Sequence, residues 1–246
     1  MTRIGPPLHL FGYDISFTNS ALWMCIVAGS AAVLLTLGAS SRRLVPTRLQ
    51  SITEMSYFFV AGMIRSASGT DGLKFFPFIF TLFFFVLFAN VYGMFPLGLF
   101  PLIRPFTVTS HIVVTFALAI FVILMVITVG IARHGFRFFG IFAPNVPLWM
   151  LLFLVPIEIV SFLSRPISLS VRLFANMMAG HTMLNVFGGF VIGLAAAGGA
   201  VSVLSVAPLI AITAVSALEF LIAFLQAYVF AILTCIYLND ALHPHH

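Results

Sequence analysis

Ser164–Gly180 reads SRPISLSVRLFANMMAG, and Arg172 sits near the middle of it among leucine, isoleucine, valine, phenylalanine and methionine. The stretch is apolar enough to lie in a bilayer, yet it carries a guanidinium that stays protonated at any pH a protein meets. A charged side chain at the centre of a membrane helix costs about 2.5–3.5 kcal/mol on insertion scales. A chain that keeps such a charge must face it toward a partner or a wet cavity. Working outward, the apolar run extends over 147–187, about 41 residues. As a helix it would reach about 60 Å, twice the roughly 30 Å of the hydrocarbon core. It must therefore tilt steeply, bend near Pro156 or Pro166, or run partly along the membrane plane. A second over-long segment covers 201–238, about 55 Å by the same rise. The glycine- and alanine-rich Gly188–Ala200 between them reads as a flexible turn, so the two segments form a steeply inclined antiparallel hairpin.

The remaining segments fit an all-α integral membrane protein, read as a single membrane domain over 1–246. Of the 246 residues, 62% are hydrophobic and 7% charged, against about 25% charged in a soluble domain. After an N-terminal segment, 1–17, transmembrane helices are predicted over 18–40, 75–95 and 111–132. Thr18, Asn19 and Ser20 are candidate caps for the first. Residues 46–66 carry Leu49, Ile52, Met55, Phe59 and Met63 at helical spacing beside Gln50, Thr53 and Glu54. That pattern suits an amphipathic interfacial helix. The expectation is about five spans plus this helix. Met1–Asp14 is polar and proline-bearing, without the apolar core of a cleavable signal. Arg42, Arg43, Arg48, Arg65, Lys74, Arg133 and Arg137 would share one side, and Arg3 and Arg104 the other. This bias places the N-terminus outside and the C-terminus in the cytoplasm or matrix.

Glu158, Ser161, Arg165, Ser168, Arg172, Asn176 and Ala179 recur every three or four residues and share one helix stripe. In the last segment Thr213, Ser216, Glu219, Ala223 and Gln226 do the same. Such a stripe serves either as a polar seam between helices or as a functional face, and intramembrane ionisable residues favour function. With both arms helical at equal rise and a turn near Gly198–Gly199, Arg172 faces the neighbourhood of Gln226. His181 then comes within about a turn of Glu219, and Glu158 falls opposite Asp240. His181 and Glu219 can relay protons, histidine giving and taking one near neutral pH, or can form a structural hydrogen bond. Arg172 cannot carry protons; it can attract an anion or block a path. A carboxylate at about 4 Å would contribute about 4 kcal/mol, but none in the chain is well placed, so the partner is expected on another subunit. Arg165 can neutralise Glu158 or Asp240. Cys25 and Cys235 read as inert thiols. No zinc motif, phosphate loop or cysteine cluster is present in the sequence. No cofactor or metal is expected, and the histidine tail, His243, His245 and His246, reads as incidental.

SRPISLSVRLFANMMAGH, Ser164–His181, resembles the motif of subunit a of the rotary F-type ATP synthase, the membrane stator beside the c-ring. LEFLIAFLQAYVFAILTCIYL, Leu218–Leu238, resembles that family's last helix. The resemblance covers Pro147 to Leu238 at motif level, and the helix order before it is similar too. It implies that Arg172 is the stator arginine facing rotor carboxylates. It implies that Asn176, His181, Glu219 and Gln226 line or support the proton path, with Glu158 toward the cytoplasmic exit. Asn90, His111, Asp240 and Arg165 are further candidates. The chain departs from some relatives at Asn90-Val-Tyr-Gly, which lacks an acid after the asparagine. The implied activity is proton translocation through two offset half-channels, without catalysis by the chain itself. The implied partners are the c-ring, peripheral-stalk b-type subunits and other ATP synthase subunits. The implied site is the bacterial inner membrane, with the mitochondrial inner membrane as alternative. From another class, a stand-alone ion channel or ion-coupled transporter is the competing reading.

Overall fold

A computed structural model describes residues 9–10, 13–14, 18–40, 45–94, 109, 111–135 and 148–242. Of the residues invoked above, Arg3, Arg42, Arg43, Arg104, Arg137 and the histidine tail lie outside this set. A two-residue antiparallel pairing, β1 (His9–Leu10) with β2 (Tyr13–Asp14), precedes the helices. The helices are α1 (Asn19–Ser40), α2 (Arg48–Ser68), α3 (Phe76–Met94), α4 (Ile112–His134), α5 (Leu148–Ala196) and α6 (Val206–Leu242). Short 3-10 turns, Asp71–Phe75 and Gly199–Ser205, lead into α3 and α6. Among the described residues, five helical stretches are long and apolar enough to cross a membrane, and α2 is not one of them.

Each helix starts and packs for local reasons. Thr47 opens α2 by accepting the Gln50 backbone N–H at 3.4 Å, and Gln50 then donates to Glu54 at 2.8 Å. The apolar residues Val60, Ala61, Met63 and Ile64 of α2 face inward, while Met55 and Phe58 stay exposed. Phenylalanines four apart meet down α3: Phe76 stacks on Phe80 at 5.1 Å, and Phe80 meets Phe84 at a tilt with 4.8 Å between ring centres. Among helices already in lipid, close packing rather than the hydrophobic effect drives association. Accordingly α6 offers a stripe of small residues four apart, Ala223, Ala227, Ala231 and Cys235, all at most 1% exposed. Against it lies the core of Ile64, Ile79, Phe83, Val122, Leu169 and Phe230. Ser68 pins α2 to α6 by donating to the Cys235 carbonyl at 2.7 Å in the buried interior.

The basic ends gather at one end of the bundle. Asp71 pairs with Lys74 at 3.1 Å and lies 3.9 Å from Arg133 at the end of α4. His134, next along, hydrogen-bonds the Leu242 carbonyl at the end of α6, at 3.2 Å.

The hairpin turns over a shorter stretch than expected. Residues 188–196 do not turn; they continue α5, which runs 49 residues from Leu148 through Pro156 and Pro166. A bilayer gives exposed backbone no water to bond, so three glycines cannot end a helix there as they can in water. The reversal is confined to the next few residues, where Gly198 and Gly199 take φ of 68° and 61°. Only glycine adopts such angles without a steric penalty.

Candidate functional site

Along α5 two adjacent stripes divide the work. Leu169, Leu173, Met177 and Gly180 are buried against the bundle. The polar stripe beside them is turned outward: Ser161, Ser168, Arg172, Asn176 and Ala179 are all exposed. Among the described residues no carboxylate forms an ion pair with Arg172. Its guanidinium thus lies on the outer surface of the hairpin, flanked by small and polar side chains.

Three cross-links join α5 to α6 at successive levels. At the first, the Glu219 carboxylate packs directly on the backbone of Gly180. A Cβ at position 180 would overlap Glu219 Oε1, so only glycine leaves room for this carboxylate. Gly180 is a site-forming residue that sequence reasoning did not single out. The available signal was a glycine between Ala179 and His181 inside a helical run, where glycine is otherwise unfavourable by about 1 kcal/mol. His181 and Glu219, both half-buried, line a cavity of about 130 Å³ with Asn176, Gly180 and Met94. Its lining is mostly apolar, and Asn176, His181 and Glu219 supply the polar groups that can hold water there.

At the second level Asn176 Nδ2 donates to Gln226 Oε1 at 3.2 Å. Gln226, whose neighbourhood Arg172 is expected to face, bonds Asn176, one turn along α5 from Arg172. Gln226 is buried, and its Nε2 has no partner among the described residues. Asn90, fully buried on α3, donates through Nδ2 to the Ala223 carbonyl at 3.4 Å, while its Oδ1 lacks a described partner. Asn90 therefore stands behind Gln226 on the third helix of the site. His111 lies elsewhere, at the N-terminal cap of α4, where its carbonyl accepts the Val114 and Thr115 amides.

At the third level Arg165 Nη1 donates to Asp240 Oδ2 at 3.3 Å. This corrects the expectation that Glu158 lies opposite Asp240. From Gly180 to Arg165 α5 advances fifteen residues, whereas from Glu219 to Asp240 α6 advances twenty-one. The two arms do not keep equal step, and long side chains such as that of Arg165 reach along the axis. Asp240 therefore meets Arg165, and half-exposed Glu158 lies two turns further along the stripe. No group of three or more metal-ligating side chains occurs among the described residues.

These features define a class: a multi-pass α-helical membrane protein whose last two helices form a hairpin with an outward cation and with a carboxylate and an imidazole lining one cavity. Residues 21–239 match the family described as ATP synthase A chain. The chain is 59% identical over 241 residues to ATP synthase subunit a of Mesorhizobium japonicum, covering 98% of this chain and 93% of that one. It is 57% identical to the subunit a of a Chelativorans species and 55% identical to that of Maricaulis maris, each over 98% of this chain and 94% of the relative. The chain belongs to the ATP synthase subunit a family, a membrane component of that enzyme rather than a catalytic one.

Proposed function

We propose that this chain is the proton-translocating stator of a rotary ATP synthase, presenting two offset half-channels to a ring of c subunits. The observation that carries this reading is Arg172: a permanent cation on the outward face of a spanning helix, with no carboxylate of the described chain paired to it. A charge so placed calls for an anion brought by a partner. A rotor carboxylate passing the Ser168–Arg172–Asn176 face supplies one. Protons enter beside His181 and Glu219, where the cavity these two side chains share and the spare hydrogen-bonding capacity of Gln226 and Asn90 suit a proton path. They neutralise the rotor carboxylate, which moves into lipid and releases its proton near Glu158 after most of a turn. Arg172 stands between the two paths and keeps protons from crossing directly. Each charge moved is worth about 2.3 kcal/mol per 100 mV, and that energy becomes rotation only if the leak is closed. Peripheral-stalk b-type subunits hold the chain against rotation, and the bacterial origin of its relatives supports the inner membrane as its location.

The test is Arg172→Ala in the assembled complex. Coupled synthesis falls to background, and passive proton permeability of the membrane rises. ATP-driven pumping at the normal rate in that variant would overturn the reading. The purified chain, reconstituted alone, is expected to show no gated or substrate-coupled transport; finding either would favour a stand-alone channel or transporter.

A further inference from the structure

Arg165 is held on three sides. Its Nη1 lies 3.3 Å from Asp240 Oδ2. Its guanidinium carbon lies 4.7 Å from the centre of the Tyr237 ring and 5.7 Å from that of Phe162. Asp240 and Tyr237 are one turn apart on α6, and Arg165 and Phe162 one turn apart on α5. The α6 end of this grip is fixed. Leu238, Ala241 and Leu242 are buried, and the Leu242 carbonyl is bonded to His134 of α4. On its inner face α5 is seated by Pro166, Leu169 and Ser170, all buried, while Ser161, Leu163, Ser164, Ile167 and Ser168 on the outer face are exposed. The Arg165 grip thus adds a polar tie to the apolar packing that seats this helix.

Its geometry bears on Arg172. Seven residues separate the two arginines, which is two turns and about 10.5 Å, and a seven-residue step returns to within about 20° of the same direction. Whatever fixes the rotation of α5 at Arg165 fixes the direction in which Arg172 points. The pair also occupies Asp240, which removes a carboxylate that could compete for the charge of Arg172.

On this basis, and resting on the stator reading above, we propose that Arg165 is a positioning residue. Clamped by Asp240 and the Tyr237 and Phe162 rings, it sets the rotation of α5 and so aims Arg172 at the rotor, without itself touching the ion.

The test uses the whole complex in inverted membrane vesicles and reads protons pumped per ATP hydrolysed. A half-exposed ion pair and a cation–π contact together are worth about 1 kcal/mol, so Arg165→Gln lowers this ratio roughly three- to tenfold. Co-purification of the rotor ring is unchanged. The exchange Arg165→Asp with Asp240→Arg restores most of the ratio, because the ion pair re-forms between the same two helices. Arg165→Lys restores only part, because an ammonium keeps the charge but loses the planar stack. An unchanged ratio in Arg165→Gln would overturn the proposal. So would loss of ring co-purification that the exchange does not repair, since the residue would then serve assembly alone. Arg172→Ala in the same vesicles separates the two ideas: if it pumps normally the stator reading fails, and if it fails to pump while Arg165→Gln pumps normally only the clamp falls.

Discussion

The two halves of α6 have similar composition and opposite surroundings. From Ala223 to Leu242 ten residues are buried, including Phe230, Cys235 and Leu238. From Val206 to Ile222 none is. The same division runs through α5, where no residue from 181 to 199 is buried. One end of the hairpin is knitted into the bundle, and the other projects beyond it with Phe190, Ile192 and Ile210 outward. Hydrophobicity does not distinguish the halves, because lipid and protein core are equally apolar solvents for leucine. What distinguishes them is the small-residue stripe Ala223–Ala227–Ala231, which lets α3 approach, and which ends where Glu219 begins. His181 and Glu219 stand at that border, where packed protein gives way to a surface open to water, lipid or a partner.

The sharpest way to break this comparison is to cut equal side chains from the two halves. Phe230→Ala in the packed half is expected to destabilise by about 2 kcal/mol. This is less than the 3–5 kcal/mol of a water-soluble core, because in lipid the lost term is packing and not transfer. Phe220→Ala in the projecting half is expected to change stability by under about 0.5 kcal/mol. Thermal unfolding in detergent checks both, and equal losses would mean that the projecting half is packed after all. Next in size is the border. Gly180→Ala shifts the Glu219 carboxylate from its seat, at little cost in stability because it ends a flexible side chain, and is expected to slow proton uptake about tenfold. Glu219→Gln keeps the shape and removes the charge, so adding Gly180→Ala to it should cost little more; additive losses would show that the glycine acts elsewhere. The smallest effect belongs to the pin between α2 and α6. Ser68→Ala removes one buried hydrogen bond and is expected to lower stability by about 1 kcal/mol, with no effect on proton uptake.

Much of this division could be read from the residues and part could not. The spans, the amphipathic α2 and the two polar stripes follow from periodicity, since a helix repeats every 3.6 residues whatever surrounds it. The outward direction of Arg172 followed from the lack of a carboxylate at its level. The continuation of α5 through Gly188, Gly189 and Gly193 was not legible, because glycine breaks helices by virtue of water that a bilayer withholds. The register of the hairpin was not legible either. An equal-rise estimate brought Glu158 to Asp240, and only the packing of the two helices decides that Arg165 arrives there instead. Arg165 had two possible acids in the sequence, and a fold was needed to choose. Gly180 was hidden for a related reason: its importance lies in a side chain thirty-nine residues away.

The length of α5 can also be considered as statics. Forty-nine residues of unbroken helix make a beam of about 74 Å. For a stator, every push given to the rotor returns as a sideways load at Arg172. That load point lies between two brackets, the Arg165–Asp240 pair on one side and the Asn176–Gln226 bond on the other. A beam loaded between two supports deflects far less than one loaded at a free end. On the stator reading, the recoil passes through α6 into the phenylalanine-rich core, and the projecting half of the hairpin, which carries no such bracket among the described residues, is spared the load.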